Sequence, residues 1–184
     1  SILGRISPRL SKRNESSYRK SQIDVLLFLS PLHPPVDFPY ITTVWDLEHR
    51  KQPWFPEVSN RGVWYNRERG YSNTLGRASF IITGTECGKE EIIRFYNIPP
   101  NRIRVIPYPT PRFALNNMNT ETTNVARKSG ISGEYLFYPA QFWAHKNHIN
   151  LLYSLKLLHE EYDIKLSLVL VGSDKGNLTH VQKV

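Results

Sequence analysis

The sequence predicts an α/β fold in which parallel strands alternate with helices, set out as two units joined by a polar linker. Three observations predict it. Short apolar, β-branched runs recur along the chain and stop at Pro, Ser or Gly. Segments with apolar residues at helical spacing separate them, the order that builds parallel sheets covered by helices. Between residues 114 and 132 the composition turns to Asn and Thr with few apolar side chains, which reads as a linker.

The elements follow in order. Ile23–Leu29 is an apolar run halted by Ser30-Pro31 and predicts a buried parallel strand. Pro34, Pro35 and Pro39 stiffen the next loop. Tyr40–Trp45 is β-branched and aromatic, again a strand, after which Pro53 and Pro56 break the chain. Arg61–Arg77 is polar with spaced Trp64, Tyr65 and Tyr71 and reads as a helix. Phe80–Thr83 is a strand. Glu86–Tyr96 carries Ile92, Ile93 and Tyr96 at helical spacing behind Thr85, a good N-cap. Arg102–Ile106 is a short strand ended by Pro107, Pro109 and Pro111. Beyond the linker, Tyr135–Tyr138 is a strand. Ile149–His159 is a helix with Leu151, Leu152, Leu155 and Leu158 on one face. Leu166–Val171 is a buried strand ending in Gly172, followed by a turn into a further helix.

The 184 residues hold 24 Lys and Arg against 16 Asp and Glu, a net charge of +8. The composition excludes collagen, an acidic disordered tail and a disulfide scaffold. Residues 1–20 carry Arg5, Arg9, Lys12, Arg13, Arg19 and Lys20 against Glu15 alone. This end is either solvated or a contact for anionic headgroups or phosphates. No helix-turn-helix, zinc-finger or RNA-recognition signature accompanies it, so nucleic acid is not an expected partner. The longest apolar runs, Val25–Leu29 and Leu166–Val171, fall far short of the roughly 20 residues that span a bilayer. The single cysteine, Cys87, rules out an internal disulfide, suits a reducing compartment and reads as structural.

Ligands of parallel α/β sheets bind beyond the carboxyl ends of the strands. After Tyr135–Tyr138 comes PAQFWAHKNHINLL, with Lys146 just before the helix and Asn147 as its expected N-cap. Free N–H groups at a helix start, with a Lys beside them, make a phosphate site; a solvated Lys beside an ordinary cap is the plainer reading. His145 and His148 have no third ligand to make a metal site. After Tyr40–Trp45 come Asp46, Glu48, His49 and Arg50. On an extended segment Asp46 and Glu48 share a face, and His49 suits acid or base chemistry near neutral pH. A salt-bridged loop is the alternative. Gly172 and Ser173 form a tight turn after the last strand.

Three stretches then carry a resemblance. IITGTECGKEEIIRFYNIPPNRIRVIPYPTPRF resembles the region before the domain crossover of family 4 glycosyltransferases, with its strand, helix and Arg-Ile-x-Val-Ile-Pro. YLFYPAQFWAHKNHINLLYSLKLLHEEYDIKLSLVLVGSD resembles the start of their C-terminal domain, and TTVWDLEHRKQPWFPE a strand-end loop of their N-terminal domain. The resemblance implies a GT-B-like fold of two Rossmann-like units. Residues 1–113 would be the C-terminal part of the acceptor-side domain, 114–132 the linker and 133–184 the start of the nucleotide-sugar-binding domain. The first βα unit and a later acidic Glu…Glu motif would lie outside these residues, so both units are expected to be incomplete here.

The resemblance further implies transfer of a sugar from a UDP- or GDP-linked donor to an acceptor hydroxyl, with retention and with neither cofactor nor essential metal. Relatives of this kind act on polysaccharide, glycan or lipid-linked acceptors, often with mannosyl donors. Lys146 falls on the family's phosphate-contacting Lys, with Gln141 where an Arg is usual and Asn147, Gly172 and Ser173 around the donor. Gln141 carries no charge, so diphosphate stabilisation leans on Lys146. Asp46, Glu48 and His49 would face sugar or acceptor, with Trp45 where the family has His. Two other readings stay open: a catalytically degenerate nucleotide- or glycan-binding module, and a glycoside hydrolase using Asp46 and Glu48. The basic end fits peripheral attachment at the cytoplasmic face of a membrane. Exposed sheet edges in an incomplete fold point to self-association.

Overall fold

A computed structural model of the protein describes residues 15–116 and 125–173. The chain divides into two compact units, one of residues 1–54 and 58–109, the other of residues 55–57 and 110–184. Most of the basic end, residues 117–124, and the helix expected after Ser173 lie outside the described residues.

The first unit begins with a short helix, α1 (residues 15–20). Then come β1 (Leu26–Phe28), β2 (Tyr40–Val44), α2 (Glu48–Lys51), α4 (Val63–Thr74), β3 (Phe80–Thr83), α5 (Glu86–Tyr96) and β4 (Ile103–Val105), while the residues of α3 (Pro56–Ser59) are divided between the two units. The strands form one parallel sheet in chain order, β1-β2-β3-β4. The register places Thr42 beside Ile81 and Ile81 beside Ile103. Period-two alternation then puts Tyr40, Thr42, Val44, Ile81, Thr83 and Ile103 on one face, and all six are buried. Leu47, Tyr71, Leu75, Ala78, Ile92 and Ile98 close the core over that face. The buried Tyr40 hydroxyl donates to Thr74 O at 2.5 Å, so the phenol enters the core without an unmet donor.

The opposite face corrects the expectation of strands buried on both sides. Leu27 is 54 % exposed and Phe80 38 %, with Arg104 spread over the Phe80 ring at 4.9 Å. Strands laid down in chain order by crossovers of one hand carry their helices on one side only. The apolar runs therefore read as doubly buried while the described residues cover one face.

Local chemistry sets the helix ends. The helix expected from Arg61 starts at Val63, because Arg61 takes a left-handed φ of 54°. Helix α5 has the expected bounds, and Thr85 Oγ1 accepts from Gly88 N at 3.0 Å as an N-cap should.

The second unit contains α6 (Arg112–Asn116), α7 (Val125–Lys128), β5 (Tyr135–Pro139), α8 (His148–Tyr162) and β6 (Ser167–Val171). Helices α6 and α7 lie partly or wholly within the 114–132 stretch expected to be the linker. Strands β5 and β6 pair in parallel from Tyr135↔Ser167 to Pro139↔Val171. On α8, Leu151, Leu155 and Leu158 are half-buried, whereas Leu152 lies exposed at the margin of the stripe. The segment Phe55–Glu57 belongs with this unit, and Glu57 Oε1 accepts from the His145 backbone N–H at 3.0 Å.

Candidate functional site

Each unit presents chemistry at the carboxyl ends of its strands. In the first, β2 runs out into Trp45 and Asp46, β3 into Gly84 and Thr85, and β4 into the Pro-rich segment that holds Tyr108. Asp46 does not lie on an extended segment with Glu48. Its Oδ1 accepts from Glu48 N at 3.0 Å and starts the turn of α2. The same oxygen takes Arg67 NH2 at 2.5 Å, and that nitrogen also reaches Asp46 O at 2.8 Å. Tyr71 donates to Asp46 O at 3.4 Å. Asp46 Oδ2 has no partner among the described residues, and the side chain is 45 % exposed. Glu48 is held locally, by Gln52 at 2.5 Å and Lys51 at 3.7 Å.

His49 is fully buried and offers a substrate no surface. Its Nε2 lies 3.3 Å from Tyr96 Oη and 3.4 Å from Glu68 Oε2, and its Nδ1 is buried without a hydrogen-bond partner. Burial lowers the imidazole's proton affinity and Arg67 lowers it further, against the pull of Glu68. Glu68 is the hub of this network. Arg50 binds it through both Nε and NH2, Ser72 donates at 3.0 Å and Tyr96 at 3.1 Å. Burial alone would raise the Glu68 carboxyl; these donors outweigh it and bring its pKa down to about 2. Burial and the Glu68 charge push the Tyr96 phenol upward.

In the second unit, β5 ends at Pro139 and passes through Gln141 into a 3-10 turn, Ala144–Lys146. Lys146 is exposed at the end of that turn, and its ammonium has no ion-pair partner among the described residues. Tyr138 Oη donates to Lys146 O at 2.8 Å and fixes the turn over the strand it follows. Asn147 corrects its sequence reading: it stands at the N-cap position but in left-handed conformation, φ 55°, with no side-chain cap hydrogen bond. Its contribution is the turn itself, which Asn tolerates better than most residues. The first N–H groups of α8 therefore receive no cap from its side chain. Gln141 is exposed. Ser173 O accepts from Phe142 N at 3.1 Å, tying the two strand ends together. Gly172 sits so close to Ala140 that a Cβ would overlap the Ala140 carbonyl.

His145 and His148 do not converge. The His145 ring engages Glu57, while His148 is buried against the Phe142 ring at 4.6 Å. Among the described residues no group of three or more His, Cys, Asp or Glu could hold a metal ion. The sequence reading named Arg50 at the strand end but missed its partner Glu68, and it missed Arg67 and the place of Tyr96 in this network. Only their mixture of charge and aromaticity was visible, because 18 to 47 residues separate the partners. It also passed over Tyr108.

Comparison with known proteins adds the fold. A glycosyltransferase of solved structure from Rickettsia africae ESF-5 superposes with a TM-score of 0.64 at 12 % identity. The match covers 100 % of this chain and 48 % of that one, so the chain spans about half the length of the neighbour. The shared feature is the α/β fold with parallel sheets. No protein-family model matches the chain, and no curated protein matches it by sequence.

Proposed function

We propose that the chain forms part of a glycosyltransferase of GT-B-like fold, moving a hexosyl group from a UDP- or GDP-sugar to the hydroxyl of a glycan, polysaccharide or lipid-linked acceptor. The observation that carries the reading is Lys146. It is an exposed ammonium without an ion-pair partner among the described residues, at the carboxyl edge of a parallel sheet, next to Asn147, the N-cap position of a helix that receives no side-chain cap from it. That combination suits a diphosphate. Two successive parallel α/β units and the fold shared with a solved glycosyltransferase support the same reading.

In this mechanism the bond from the anomeric carbon to the diphosphate breaks, and the electron pair leaves with the phosphate oxygen. Lys146 and the first N–H groups of α8 balance the charge that develops there, with Gln141 as a neutral donor. The acceptor hydroxyl attacks the same face of the sugar and passes its proton to the departing phosphate oxygen as the new bond forms, which gives retention without a metal. Gly172 and Ser173 shape the nucleoside side, and Asp46 faces the sugars. His49 acts as a buried positioning residue through its contacts with Tyr96 and Glu68. The basic end would hold the enzyme against anionic lipid on the cytoplasmic side of a membrane; among the described residues no helix is long and apolar enough to cross one.

The test is calorimetric titration of the chain and its Lys146→Ala variant with UDP- and GDP-sugars. The expected result is micromolar binding of one nucleotide class, weakened roughly tenfold or more in the variant. Binding that ignores the substitution would remove the diphosphate from this helix start. No binding at all would overturn the donor-site reading.

A further inference from the structure

Tyr108 is the side chain at the strand ends that folding explains least. Ile106 N still donates to Thr83 O at 2.8 Å and extends the β3–β4 ladder, and Tyr108 follows two residues later. The ring is 66 % exposed, so it does not serve the core. Nor does it swing in solvent. It lies across Gly84 at the end of β3, where a Cβ would come 2.8 Å from Cε2 and 3.2 Å from Cδ2 of the ring. Gly84 has no left-handed φ that would demand glycine for the backbone. Its missing side chain makes room for the Tyr108 ring.

Asp46 stands at the neighbouring strand end. Arg67 and Glu48 N hold its Oδ1, which fixes the carboxylate; Oδ2 has no partner among the described residues, and the side chain is 45 % exposed. The Tyr108 ring covers the end of β3, the strand next to β2, so it lies about one strand spacing, roughly 4.8 Å, from the strand end that leads into Asp46. A flat arene beside a fixed carboxylate matches a pyranose in particular. The C–H face of the sugar packs on the apolar ring face, and its edge hydroxyls donate to the carboxylate oxygen. Oδ2 can only accept, so it suits the hydroxyl donors of a neutral sugar, while Arg67 offsets the Asp46 charge.

We propose that Tyr108, laid over Gly84 and flanked by Asp46, is a stacking platform for one pyranose ring of a neutral glycan. Naming that ring the acceptor rests on the transferase reading; the platform itself does not.

The experiment is saturation-transfer NMR on the full chain without nucleotide. The probes are the methyl α-pyranosides of glucose, mannose and galactose at millimolar concentration. Saturating the aromatic protons should pass magnetisation to the ring C–H protons of at least one of them. Tyr108→Phe keeps the arene and should keep the transfer. Tyr108→Ala should lower it by about 3- to 10-fold, the range of an aromatic contact. Gly84→Ala leaves the tyrosine chemically intact but displaces its ring, and should lower the transfer as well. Asp46→Asn should weaken it by removing the charged acceptor. Circular dichroism of each variant shows that the fold survives. Absence of transfer from the unsubstituted chain to all three pyranosides overturns the proposal, and so does equal transfer from Tyr108→Ala. Because no nucleotide is present, failure here leaves the Lys146 titration standing, and failure of that titration leaves this result standing.

Discussion

Glu68→Gln removes one negative charge from a site built around it. Arg50 binds that carboxylate through two nitrogens, and Ser72 and Tyr96 donate to it as well. The folded carboxyl titrates near 2 against an ordinary 4.5. At about 1.36 kcal/mol per pH unit, that difference is about 3 kcal/mol of stability at neutral pH. The side chain is only 16 % exposed, so solvent screens little of it. The pKa is depressed, so the contribution is complete above 4.5 and disappears as pH falls toward 2. Near pH 3 about 1.4 kcal/mol should remain. Glutamine keeps the shape and gives up the charge, so the gap between the two chains should narrow by roughly half between pH 7 and pH 3. Urea unfolding followed by tryptophan fluorescence reads this, with Trp45, Trp54 and Trp64 reporting from the first unit. A gap that stays constant between the two pH values would refute the ion pairing as its source. His49 adds to the acid loss of the unsubstituted chain. Burial lowers its pKa, so the unfolded chain takes up a proton first as pH falls through 6.5, and stability declines from there.

Two further outcomes follow from the second unit. Gly172→Ala would drive a Cβ into the Ala140 carbonyl, which is backbone and cannot swing aside; the ends of β5 and β6 must part, lowering stability by about 1–3 kcal/mol in calorimetric melting. Asn147 separates two roles: Asn147→Gly should be tolerated by a left-handed turn, whereas Asn147→Ser, an excellent N-cap but a poor left-handed residue, should lose about 1 kcal/mol in urea unfolding.

Local signals made much of the fold legible. Thr85 and the spacing of Ile92, Ile93 and Tyr96 fixed α5 at both ends, and the run FIIT fixed β3. Lys146 was readable because its position depends on one strand end and one helix start. What could not be read was set by distance or by backbone geometry. Nothing near Glu48 announces that Asp46 will start a turn instead of continuing the strand. Nothing near His49 shows that Glu68 and Tyr96 will enclose it. Arg61 enters left-handed space without the glycine that usually marks it, which moved the start of α4. Apolar strands look alike whether one face or two are covered, so the open face of the first sheet left no trace in composition.

The order β1-β2-β3-β4 also bears on how the first sheet assembles. Each strand finds its partner in the next strand of the chain, so every pairing closes a single crossover and none waits for a distant segment. Assembly can proceed by addition at a growing edge, with each arriving helix sealing the apolar face just made. The same arithmetic makes the sheet tolerant at its margins: loss of β1 would strip one edge and leave the Tyr40–Val105 pairings intact.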